Sequence, residues 1–294
     1  GRAVVRVDRN GAAEQVVEEL SSWAEPRVSP DGRRILLRRV MTPDCSLWTY
    51  DLTRETLTRI TFDDDTHDPL WDVDGRSVIY AGDDDTSRIL FRVPADGTGT
   101  PTLVADAPIS LRAASWTGDG RQLALSAIGA DRNYDIWVLD ANISPDPKPF
   151  LETRFLERYP AFSPDGRWIA YGSDESGRWE VYVRPYPGPG GKVQVSSGGG
   201  QEPLWSRDGR ELFFRTETSM MAVPVRDDVG LVFGRPEALF DDPYLRPSLI
   251  SDDVHSYDVS LDGSSFLMVQ PDNEGLGNAD LRVVIGWFDS LGLE

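Results

Sequence analysis

Both histidines of the 294-residue chain, His67 and His255, stand seven residues ahead of an Asp-Gly pair, and a carboxylate, Asp68, directly follows the first. The same seventh-before position holds Arg112, Arg158 and Gln201, and the position after it holds Glu25, Asp68, Tyr159 and Glu202. Imidazole and carboxylate oxygen together suit zinc or another divalent ion, which makes His67, Asp68 and His255 candidate metal ligands. Glu25, Asp68 or Glu202 could also serve as a general acid or base. A third use is plain binding, with Glu25, His67, Asp68, Arg112, Arg158, Tyr159, Gln201, Glu202 and His255 gathered around one opening. The same residues could instead cap structural elements through ion pairs, for example Glu25 or Glu202 with Arg112 or Arg158. No GxSxG, HExxH, phosphate-binding loop, Cys-His pairing or GxGxxG accompanies them, so no residue is assigned a catalytic role and the balance favours binding.

What must position these residues is a repeat. Asp-Gly recurs at Asp31, Asp74, Asp119, Asp165, Asp208 and Asp262, at spacings of 43, 45, 46, 43 and 54 residues, close to the roughly 40 to 45 of one four-stranded propeller blade. The unit from Arg158 to Arg184 reads as strand, tight turn, strand, Gly-containing turn and strand. Pro164 presets the turn, Asp165 suits its third position and Gly166 takes the positive φ. Trp168, Ala170 and Gly172 then alternate with Arg167, Ile169 and Tyr171, the period of a strand. Three residues before each Asp sits an apolar or aromatic side chain (Val28, Trp71, Trp116, Phe162, Trp205, Val259), suited to filling the gap between adjacent blades. Two after it comes Arg in five units (Arg33, Arg76, Arg121, Arg167, Arg210), suited to pairing with the next blade, and Ser264 in the sixth. A sheet this small needs like neighbours on both sides.

The expected fold is therefore all-β: one six-bladed β-propeller over 1–294, with blades at about 25–61, 67–105, 112–152, 158–197, 201–241 and 254–288. The last is completed by residues 1–20, where Ala3–Asp8 and Glu14–Glu18 flank the hairpin signal Arg9-Asn10-Gly11. Leu281–Phe288 reads as a further strand of that blade. Closing a ring with both chain ends leaves no open sheet edge.

Charge narrows the partners. Thirty basic residues against 49 acidic ones give −19, a surface that repels phosphate backbones and anionic lipid, so neither nucleic acid nor direct membrane insertion is expected. The Asp runs, such as Asp63–Asp65, Asp83–Asp85, Asp227-Asp228, Asp241-Asp242 and Asp252-Asp253, read as solvated loops, with a calcium site as the alternative. The single cysteine, Cys45, forms no internal disulfide and reads as filler rather than a nucleophile. No stretch approaches 18 consecutive apolar residues.

The units SPDGRRILL, SPDGRWIAYGSDESGRWEVYVRP and WSRDGRELFFR resemble the Asp-Gly repeats of TolB-type six-bladed propellers over essentially the whole chain. VYVRPYPGPGGKVQVSSGGGQEPLWSRDGRELFFR, MMAVPVR and the ending VVIGWFDSL look more closely like the propeller at the C-terminal end of bacterial serine/threonine protein kinases. The resemblance implies a sensor or scaffold domain of a membrane-linked signalling protein, placed outside the cytoplasm. It also leaves open a TolB-like periplasmic docking module or a channel-metal enzyme of the lactonase or lyase kind. Kinase motifs and a hydrolase elbow are absent. The implied partner is a protein, a peptide or a small polar ligand. No cofactor is required, although a divalent metal could sit in or near the channel. Trp48, Trp137, Trp179 and Trp287 could serve outer-face docking.

Overall fold

The computed structural model describes residues 1–41, 45–62, 66–83, 88–129, 133–141, 143–227, 230–246 and 255–271. Among them there are 25 strands and no helix. The chain opens with β1 (Ala3–Asp8) and β2 (Ala13–Gln15), shorter than the expected Glu14–Glu18 run. Blade one is β3 (Trp23–Val28), β4 (Arg34–Arg39), β5 (Ser46–Asp51) and β6 (Thr56–Arg59). Blade two is β7 (Thr66–Trp71), β8 (Ser77–Asp83), β9 (Arg88–Pro94) and β10 (Thr102–Ala105). Blade three is β11 (Ser110–Trp116), β12 (Gln122–Ile128), β13 (Tyr134–Asp140) and β14 (Lys148–Leu151), and blade four is β15 (Glu157–Phe162), β16 (Trp168–Ser173), β17 (Glu180–Pro185) and β18 (Val193–Gln194). Blade five has β19 (Gln201–Trp205), β20 (Glu211–Arg215) and the long β21 (Ser219–Arg226), whose outer edge is shared by β22 (Val232–Phe233) and β23 (Glu237–Asp241).

Blade six is closed by both ends of the chain. Its sheet order is β2-β1-β25-β24, with β24 at Asp258–Val259 and β25 at Ser265–Gln270. β1 runs antiparallel to β25 from Ala3↔Gln270 to Asp8↔Ser265. Both edges of β25 are therefore taken, and the strand expected at Leu281–Phe288 lies outside the described residues.

The six Asp-Gly turns that recur once per blade share one chemistry. Each Asp Oδ1 accepts the N–H two residues on, at 2.8–3.1 Å. In five of them it also accepts a Ser or Thr hydroxyl two residues back: Ser29, Thr117, Ser163, Ser206 and Ser260. Each Gly has φ between 65° and 71°, where a Cβ is strained.

The core is not one mass but seams. Among the described residues each buried cluster joins two neighbouring blades, as strand alternation dictates: Ile35 and Leu37 face blade six while Leu36 faces blade two. Val5 and Val7 pack with Phe213 and Phe240 of blade five, whereas Val4 packs against Trp23 of blade one. The aromatics before the turns bridge blades as expected: Trp71 Nε1 donates to Arg27 O (3.1 Å) and Trp205 Nε1 to Ala161 O (3.0 Å). Of the arginines after the turns, Arg167 reaches Asp227 of the next blade while also pairing with its own Asp165.

Candidate functional site

Glu25, Asp68, Tyr159 and Glu202 all lie in the left-handed region, with φ of 52°, 53°, 57° and 55°. Each precedes a proline (Pro26, Pro69, Pro160, Pro203), which disfavours the right-handed helical region, and each sits where strand register shifts. The result is a bulge carrying a left-handed residue in four of the inner strands, which re-aims the side chain at a cost of about 1–3 kcal/mol per residue; β11 shifts register at Ala113–Ser115 without one.

The re-aimed carboxylates join blade to blade. Glu25 Oε2 accepts the backbone N–H of Asp68 (3.1 Å), and Glu202 Oε2 accepts both the N–H and the hydroxyl of Ser256 (2.6 and 2.7 Å). Arginines neutralise them in burial: Arg38 Nη1 lies 2.8 Å from Glu25, Arg112 Nη1 3.3 Å from Asp68 and Arg215 Nη1 3.7 Å from Glu202. Arg215 is fully enclosed. It binds Asp242 through Nε (2.6 Å) and Nη2 (2.8 Å) and donates to the carbonyls of Leu245 and Tyr244 and to Ser256 Oγ.

The expected pairing of Glu25 or Glu202 with Arg112 or Arg158 is therefore corrected. Glu25 and Glu202 take Arg38 and Arg215, each from the second strand of its own blade. Arg158 lies over the rings of Tyr134 (3.8 Å) and Trp179 (5.1 Å). Gln201 is half-buried, opposite Arg215 in the ladder. Asp242, read from sequence as part of a solvated Asp run, is instead buried with Arg215. Asp63–Asp65 and Asp252-Asp253 lie outside the described residues.

The histidines are separated in role. His67 Nε2 faces Arg88 Nη2 at 3.3 Å, and burial, then Arg38 and Arg88, push its imidazole down to about 4. His255 touches the ring of Tyr159 at 5.7 Å and meets Pro203 O at 3.0 Å through Nε2. Burial, then Arg27, push it down to about 3. Among the described residues no group of three or more His, Cys, Asp or Glu side chains is placed to hold a metal ion, so His67, Asp68 and His255 do not form the expected ligand set. Asp68 is taken by Arg112, and His255 by a carbonyl and an aromatic ring.

The open space lies further along the axis, beside the Asp-Gly turns. A cavity of 460 Å³ draws side chains from all six blades, among them Arg27, Trp71, Trp116, Phe162, Trp205 and Asp258. Of the nine residues picked out in sequence, His255 alone lines it. Sequence reasoning had placed the aromatics between blades. They do bridge blades, and they also wall this cavity. The outer-face tryptophans pack locally: Trp48 against Trp23, Trp137 in the seam of blades two and three, and Trp179 under Arg158, while Trp287 lies outside the described residues. Cys45 is half-buried ahead of β5.

No protein-family model matches the chain. Solved structures do. One assigned to TolB of Agrobacterium tumefaciens superposes with a TM-score of 0.72 at 20% identity, covering 92% of this chain and 97% of that one. TolB of Acinetobacter baumannii gives 0.61 at 15%, covering 80% of this chain and 65% of that one. An oligogalacturonate lyase in complex with manganese gives 0.63 at 14%, covering 93% and 79%. At these identities the likeness is one of fold, and the fold of this chain is that of the TolB-like six-bladed β-propellers.

Proposed function

We propose that the chain is a non-catalytic binding propeller that engages a protein loop or peptide segment at its axial cavity. The observation that carries this is the cavity itself: it gathers side chains from all six blades, and its aromatic walls with a few polar groups match the make-up of recognition sites. The carboxylates at the other end of the inner strands are already committed to buried arginines, which leaves them little capacity for general acid or base work. The sequence likeness over Val181–Arg215 to kinase-linked propellers supports a sensor or scaffold role in an extracytoplasmic, membrane-linked signalling protein.

Selection of displayed peptides on the immobilised protein tests the reading. Binding peptides should be lost when Ala114, on the cavity wall, is replaced by Trp, with the melting temperature unchanged. Retained binding in Ala114→Trp would move the site off the axis. The lyase-like reading predicts a stoichiometric divalent metal in chelator-free protein by elemental analysis.

A further inference from the structure

Four arginines are buried near the axis, and three of them face a carboxylate: Arg38 faces Glu25, Arg112 faces Asp68, and Arg215 faces Asp242 and Glu202. Arg27 does not. It is 9% exposed and lines the axial cavity, and its Nη1 donates to the carbonyls of Pro26 (2.9 Å) and Tyr257 (3.3 Å). It makes no ion pair with any described residue. Asp258, the one carboxylate in the cavity lining, accepts backbone N–H groups instead, Val28 N at Oδ2 (2.7 Å) and Val259 N at Oδ1 (2.8 Å). A guanidinium withdrawn from water without a counter-charge is costly, and such a cost marks a place where a ligand supplies the missing charge.

We propose that the axial cavity receives a peptide carboxylate carried on an apolar or aromatic residue, with Arg27 as its ion-pair partner. This rests on the cavity being the binding site. Trp71 adjoins Arg27, and the wall continues with Leu70, Phe162, Leu204 and Trp205, which suits an apolar body. A second arginine, Arg207, stands at the exposed rim and adds attraction on approach. The lining thus carries two arginines against one aspartate, with His255 neutral, in a chain whose overall charge is −19. Screening over about 8 Å lets this local positive charge act at contact range, while the acidic exterior still repels polyanions. One carboxylate is admitted and a string of them is not.

The test compares three peptide pools on the whole protein: free C-terminal acids, the same sequences amidated, and capped peptides with one internal Glu. A small acid, N-acetylphenylalanine, is titrated beside them. Amidation, and separately Arg27→Gln, should each weaken binding roughly 10- to 100-fold, with Arg27→Lys recovering part of it. NMR should show the titration of His255 moving up from about 3 as a carboxylate offsets Arg27, with His67 as the internal control.

Preference for free acids identifies a chain terminus as the source, and preference for internal Glu identifies a side chain. Binding of N-acetylphenylalanine without any peptide overturns the peptide source. Amidated peptides binding as tightly as both the free acids and the internal-Glu peptides, or no effect of Arg27→Gln on affinity and His255, overturns the inference while leaving the cavity reading intact. Absence of any binding, peptide or acid, sinks both.

Discussion

Glu202 holds Ser256 twice through a single oxygen, taking the backbone N–H at 2.6 Å and the hydroxyl at 2.7 Å, and so ties the inner strand of blade five to the start of blade six. Arg215 stands behind this contact, shared between Glu202 and Asp242. The junction adds a buried charge network to the apolar seam of Val5, Val7, Phe213 and Phe240.

Removing one member should leave Arg215 undercompensated. Asp242→Asn loses the charge and one of the two short bonds, and turns an amide NH2 towards the guanidinium, at an expected cost of about 3–5 kcal/mol; Glu202→Gln, whose contact with Arg215 is longer, costs about 2–3 kcal/mol. Urea unfolding with an unchanged slope checks both values. A double variant costing less than the sum would show that the two acids act through the same arginine.

Glu157 makes the opposite prediction about charge. It is 2% exposed. Burial, partly offset by a hydrogen bond from Thr153, and then repulsion from Asp135, Glu175 and Asp174 raise it from 4.5 to about 7. Between those two pH values the unfolded chain has released a proton that the folded chain keeps. Stability therefore falls as pH rises through this window and levels off above about 7. The full cost is on the order of 3 kcal/mol. Glu157→Gln should remove the fall, and melting temperatures followed across that range would show it.

The two imidazoles work the other way on acidification. With folded values of about 4 and about 3 against an ordinary 6.5, the unfolded chain binds their protons first, so their contribution to stability is full above 6.5 and drains away as pH drops towards those values. NMR should find neither ring titrating near 6.5. A histidine signal that moves there would contradict its burial.

Arg158 is expected to be structural. Sandwiched with Tyr134 and Trp179, it should cost about 1–2 kcal/mol on replacement by Ala and less by Lys. Ligand affinity at the axial cavity should not change, which calorimetry with a selected peptide would verify.

Much of the architecture could be read in advance because the turn chemistry repeats. An Asp that caps its own turn and a Gly at positive φ recur wherever two strands reverse tightly, and the six pairs spaced 43 to 54 residues apart marked six blades, while a seventh, Asp96-Gly97, follows β9 within blade two. The hydroxyl two residues before the Asp, present in five turns, was an unread part of the same signal. The site was harder. Carboxylates at the strand entries looked available because sequence spacing does not show what a second strand brings alongside. Yet Glu25 and Arg38, and Glu202 and Arg215, are each thirteen residues apart across the same turn, and that coincidence carried the pairing. Arg27 gave no comparable sign. Its lack of a carboxylate partner among the described residues is visible only once those residues are placed.

Deleting residues 1–20 should abolish the folded state rather than loosen one end. Val4, Val5, Val7 and Val17 are almost fully buried, and their burial is worth together on the order of 8 kcal/mol, comparable to the whole stability of a typical domain. A truncated protein that melts cooperatively at the original temperature would refute the closure.

That closure also sets an order of events during synthesis. Ala3 finds its partner only at Gln270, so Val5 and Val7 leave the ribosome long before Phe213, Phe240 and Phe266, which shelter them, exist. Until β25 emerges, the nascent wheel carries a sticky, half-paired ribbon at one end and an unsealed gap where the circle will join. The ring therefore cannot close before β25 has emerged, and protection of that early ribbon by a chaperone, or its loss to aggregation, decides the yield.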